Sequence, residues 1–134
     1  LSSRIREISD PETELKATMS ILDTMLGNIG DVAILLQTGK DVEAMMKLAK
    51  FIETVQRMIR VLHYLGEKSH VDLGLLNIEG ASTKEFTLSL NDFLRELMSA
   101  METGDTVLIG DLLEYEVAPK LGAFHTALRA HGIL

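Results

Sequence analysis

Apolar residues recur every three or four positions in four long runs, the spacing of one helix face, and no strand-like alternation of useful length competes with it. The first run predicts a helix over about 11–38, with Leu15, Leu22, Met25, Leu26, Ile29, Val32, Ala33 and Leu36 as its buried stripe. Asp10 can cap the free amides, Pro11 suits a position that needs no N–H, and Glu12 and Glu14 favour the positive end of the dipole. Gly27 and Gly30 lie off the stripe. Glycine within a helix costs about 1 kcal/mol relative to alanine, so the pair marks a close backbone approach or a bend.

A second helix is expected over 41–65, with Asp41 as N-cap, Met45, Leu48, Ile52, Val55 and Ile59 as core and Gly66 as its left-handed end. The third, 83–102, opens on a capping box of Ser82 and Glu85. The fourth, 106–131, contains Pro119, which cannot donate to the carbonyl of Tyr115 and predicts a kink.

The turns Thr38-Gly39-Lys40-Asp41-Val42 and Thr103-Gly104-Asp105-Thr106-Val107 lie 65 positions apart. The same shift sets Met45, Leu48, Ile52 and Ile59 on Gly110, Leu113, Val117 and Phe124, and Ile21, Met25, Ile29 and Leu36 on Phe86, Leu90, Leu94 and Met101. The sequence thus reads as one helical hairpin written twice. It predicts an all-α fold, an antiparallel four-helix bundle built from two repeated hairpins joined by one long crossover. Its parts are a leader at 1–10, ordered if Ile5 and Ile8 find a surface, hairpins at 11–65 and 83–132, and the crossover at 66–82. Val71, Leu73, Leu75, Leu76 and Ile78 make that crossover too apolar for a free loop, so it should cover one end of the bundle.

A chain of 134 residues is one domain by size. The absence of cysteine excludes disulfides and thiolate metal sites and is compatible with a cytoplasmic location. A formal charge of −7 with no basic block argues against nucleic acid, and uninterrupted apolar runs of only a few residues argue against a membrane span. The chain opens on Leu1 without an initiator Met, which is compatible with an upstream segment.

Chemistry-bearing motifs are sparse. Thr38-Gly39-Lys40 has the look of a phosphate-loop tail, but Asp41 stands where Ser or Thr is needed and Ile34 where the earlier glycine is needed. A di-metal bundle needs two Glu-x-x-His motifs, and Glu67-Lys68-Ser69-His70 has no counterpart in the other half, so neither metal nor cofactor is expected. His63-Tyr64-Leu65-Gly66-Glu67-Lys68-Ser69 resembles the signature of histidine phosphotransfer domains, with lysine and glycine in altered order, and would make His63 a phosphoacceptor. The histidine itself reads as partly buried. Asp111, Glu114, Tyr115 and Glu116, just before Pro119, form a candidate polar site. Their string Asp-x-x-Glu-Tyr-Glu-x-x-Pro, from Asp111 to Pro119, resembles small bacterial helical proteins over about one helix and implies no activity.

Apolar excess says more. Leu108, Leu112 and Tyr115 line up opposite the core stripe of the fourth helix, and Phe51, Met58 and Leu65 flank that of the second. Second stripes usually mean a partner. Met45, Met46, Met98 and Met101 suit an adaptable groove. The resulting expectation is a non-enzymatic interaction module that self-associates as a homodimer or binds a client helix, in its most specific form as a secretion-type chaperone does. The competing class is a phosphorelay or carboxylate-dependent enzyme using His63 or the acidic segment.

Overall fold

A computed structural model of the chain describes residues 11–68 and 76–132. The expected leader, with Ile5 and Ile8, lies outside them, as do Val71, Leu73 and Leu75 of the crossover and Ser69 and His70. Six helices follow in order: α1 (Pro11–Gly27), α2 (Ile29–Gln37), α3 (Asp41–Lys68), α4 (Thr83–Thr103), α5 (Thr106–Asp111) and α6 (Ala118–Ala130), with a π-helical turn, Leu112–Val117, between α5 and α6. Among the described residues the fold is all-α, and the only β pairing is an isolated bridge between Ile78 and Ala81.

The first expected helix is two. Asn28 interrupts it: its N–H donates to the Met25 carbonyl at 3.1 Å and its own carbonyl accepts from Asp31 at 3.0 Å, a tighter three-residue closure than the α pattern. A Cβ on Gly27 or Gly30 would meet nothing within 4 Å, so these glycines mark the bend and serve no close approach. Against the expectation from uninterrupted runs, Thr13–Gln37 is long and apolar enough to cross a membrane by length and composition. Single Ser, Thr and Asp residues break its apolar runs without lowering its average much. In the fold it buries Leu15, Met19, Leu22 and Val32 in the common core.

Both turns close identically. Lys40 N–H donates to Leu35 at 2.8 Å and Gly39 N–H to Leu36 at 3.4 Å; Asp105 N–H donates to Ala100 at 2.9 Å and Gly104 N–H to Met101 at 3.3 Å. The Thr38 hydroxyl bonds back to Ile34 and Leu35, and that of Thr103 to Ser99 and Ala100. Gly39 at φ 78° and Gly104 at φ 70° hold the left-handed position on which both closures depend. Asp41 begins α3 rather than capping it, and α3 runs past Gly66 to Lys68. Ser82 and Glu85 make the expected reciprocal cap.

Beyond the turns the burial pattern drifts. Ala44, Leu48 and Ile52 match Ile109, Leu113 and Val117 at a shift of 65, all buried, but Val55, Met58 and Leu62 match Leu121, Phe124 and Leu128 at 66. The π turn inserts one residue, as such turns do. Met58, rather than Ile59, is therefore the buried counterpart of Phe124, and Ile59 is half-buried. Before and at the Asn28 break the expected correspondence fails: Ile21 is exposed whereas Phe86 is buried, and Met25 and Ile29 are half-buried whereas Leu90 and Leu94 are buried. Phe86 and Phe124 stack at 4.9 Å between ring centroids and join α4 to α6 in the core.

The end of the crossover is a tight turn. Glu79 at φ 52° and Gly80 at φ 87° link the bridged Ile78 and Ala81, the Asn77 side chain accepts from Gly80 N–H at 2.6 Å, and Leu76 and Ile78 are buried. This part of the crossover covers core, as its composition requires.

Candidate functional site

Packing on α3 decides which expected contact residues are available. α1 and α2 lie along it, and α4 touches it as well. A helix with neighbours on more than one side is buried over a wide arc, so Phe51, Met58 and Leu65 are core residues of the single chain. Their assignment to an exposed second stripe is corrected. Leu112 is corrected too: at 5% exposure it belongs to the core, because the π turn winds fewer degrees per residue than an α-helix and brings it inward beside Leu113. Leu108 and Tyr115 are exposed, Tyr115 at 66%. The expected stripe thus divides between inside and outside.

A different apolar surface gathers at the end of the molecule that carries both turns. Val42, Met45, Met46 and Ala49 at the start of α3 share a shallow groove with Met101 near the end of α4. Val42 is 76% exposed and Met46 68%; Val107, 65 positions on from Val42, is 72% exposed. Ile34, Met98 and Leu108 add exposed apolar area on the segments flanking the turns. Three of the four methionines expected to make an adaptable groove are therefore brought together, and Val42 and Val107 are contributors that the helical phase did not single out. Their signal was the recurring turn sequence, since each stands third after the turn glycine.

The polar candidates do not assemble. Asp111, Glu114 and Tyr115 are exposed and Glu116 is half-buried around the π turn, and among the described residues no three His, Asp or Glu side chains are placed to hold one metal ion. His63 stands exposed on α3, not partly buried as expected. Elsewhere the charges tie helices together: Arg57 pairs with Glu14 across α3 and α1, and His125 on α6 meets Asp23 on α1 at 3.5 Å and Arg129 at 3.3 Å. Lys120 lies 5.3 Å from the ring centre of Phe93.

A second concavity lies where the helices depart from regularity. It is lined by Met25, Asn28, Ile29 and Val32, by Lys47, Leu48, Lys50 and Phe51 of α3, and by Leu113 of the π turn. Sequence reasoning did not find this cavity, because it depends on a helix break and a one-residue insertion coming together in space.

No solved structure matches the chain. It is similar to an "Uncharacterized protein" of Treponema pallidum (strain Nichols), 28% identical over 89 residues, which are 66% of this chain and 44% of that protein. The chain spans less than half the length of that relative. Residues 13–127 match the family described as Domain of unknown function (DUF8042), and the chain belongs to that family.

Proposed function

We propose that this domain is a non-enzymatic interaction module, a four-helix bundle of two duplicated hairpins whose turn-bearing end docks an apolar helical surface, first of all that of a second copy of the chain. The observation that carries the reading is the exposure of Val42 and Met46 at the methionine groove and of Val107 just after the second turn. Large apolar side chains gathered at one end of a folded domain are stabilised by a partner that removes them from water. Methionine suits such a surface because its flexible side chain adapts to what it meets. The repeated turns supply the same exposed valine twice, which fits a surface that pairs with itself. Holding a client segment, as a secretion-type chaperone does, is the same mechanism with a different occupant, and a cytoplasmic setting suits both.

Sedimentation tests this. Val42→Glu with Val107→Glu should convert an associated parent to monomer while helicity and unfolding midpoint stay nearly unchanged, because a carboxylate is costly at a buried interface and harmless in solvent. A parent already monomeric, with no change on substitution, would overturn self-association. The exposure of His63 favours one second reading, phosphotransfer through its ring. Acid-labile phosphate on the parent that is absent from His63→Ala would establish it, and no labelling by a phosphodonor would remove it.

A further inference from the structure

We infer that the cavity between the Asn28 break and α3 binds a small amphipathic carboxylate, a molecule with one anionic head and an apolar body the size of a short acyl chain or a single ring. The cavity measures about 190 Å³. An apolar cavity of about 150 Å³ is enough to hold benzene, so a ring or a chain of roughly eight carbons fits here. Met25, Ile29, Val32, Leu48, Phe51 and Leu113 supply its apolar wall, and its polar side chains are those of Asn28, Lys47 and Lys50. The lysines stand three positions apart on α3, so both side chains leave one face of that helix at the cavity's edge. Neither forms an ion pair with any described residue, although the chain carries twenty acidic residues.

Two cations with no ion pair to any described residue, set beside an apolar wall, select the ligand. The body is drawn in by burial, the head by charge and hydrogen bonding, while a neutral analogue forgoes the second and a cationic one is repelled. The backbone points to the same place. Asn28 interrupts the first helical limb and Leu113 belongs to the π turn of the last, so two irregular points of the described helices border one cavity. Turns of that kind recur at functional sites.

Octanoate, octanol and octylamine separate the contributions, read as amide shifts of Asn28, Ile29 and Leu113 in the full chain. Octanoate should bind saturably below millimolar concentration, octanol more weakly and octylamine not at all. Lys47→Gln with Lys50→Gln, both on the surface, should weaken octanoate at least about tenfold and leave octanol unchanged. Val32→Phe should fill the cavity and exclude both ligands; if it fails to fold, the lysine variant decides alone. No saturable shift with octanoate, octylamine binding as well as octanoate, or octanoate affinity unmoved in the lysine variant would each overturn the proposal.

Discussion

Each half of the molecule has one unbroken helix and one interrupted helix, in opposite order. In the first half the entering limb breaks at Asn28 and the returning limb, α3, runs 28 residues unbroken; in the second half α4 enters unbroken and the return is interrupted by the π turn. The interruptions differ in kind. At Asn28 the backbone tightens between two glycines, with no packing contact demanding either, and the correspondence of burial with the other half is lost. At Leu112–Val117 it widens by one residue ahead of Pro119, and the core positions resume in order one residue later. An insertion that widens the helix preserves the face it presents, whereas a break redirects it. Both reach the same cavity, from opposite halves.

The largest effect tests the widened turn. Leu112→Glu places an unpaired charge in the core and should unfold the domain, whereas Tyr115→Glu, three residues on in solvent, should change stability by less than about 0.5 kcal/mol. Circular dichroism on the pair decides it. A folded Leu112→Glu would mean the turn does not wind as described, and the exposed stripe would be restored.

Next is the one-residue shift in core correspondence. Met58→Ala should cost about 2–5 kcal/mol and Phe124→Ala about 3–5, while Ile59→Ala, at a half-buried site, should cost clearly less. Denaturant unfolding measures all three. Equal losses at Met58 and Ile59 would return the pairing to a uniform spacing of 65. The insertion can also be removed: deleting Glu114 together with Pro119→Ala should leave a continuous α-helix within about 1 kcal/mol of the parent, since proline was the obstacle to that helix. Deleting Glu53 from α3 should instead rotate Val55, Met58 and Leu62 out of the core and unfold the protein.

These contrasts also mark what the sequence could carry. The caps were legible because their chemistry is local: Ser82 with Glu85, and Gly39 and Gly104 at left-handed positions, each depend on residues within a few places. The all-α class and most of the core stripe followed from a spacing that repeats over many residues. Leu112 was misplaced because a fixed 100° per residue cannot represent a turn that winds more slowly, and Pro119, the visible signal, announced disruption without saying that it would be a widening. Phe51, Met58 and Leu65 were misplaced for another reason. A single helix does not record how many neighbours it will have, so a wide apolar arc reads equally as two internal contacts or as one contact and a partner. Of the candidate surface, the methionines were visible as a composition; their meeting in one groove depends on how α3 and α4 pack in space.

The smallest effects come from the glycines, and they separate the two kinds of interruption most cleanly. Gly39→Ala and Gly104→Ala force a side chain into the left-handed region and should each cost about 1–2 kcal/mol, by similar amounts because the two closures share their hydrogen bonds. Gly27→Ala and Gly30→Ala meet open space with no such demand on the backbone, so each should stabilise by about 0.4–1 kcal/mol through the unfolded chain alone. If the gain comes with a straightened first limb, seen as continuous α-type amide contacts through Asn28, the break is a consequence of weak local propensity. If the gain comes with the break intact, tertiary packing of Val32 against α3 holds the bend, and the cavity beside Asn28 is a fixed feature of the fold. A loss at Gly27 or Gly30 would show that these positions demand glycine after all, and the distinction between the two interruptions would fall.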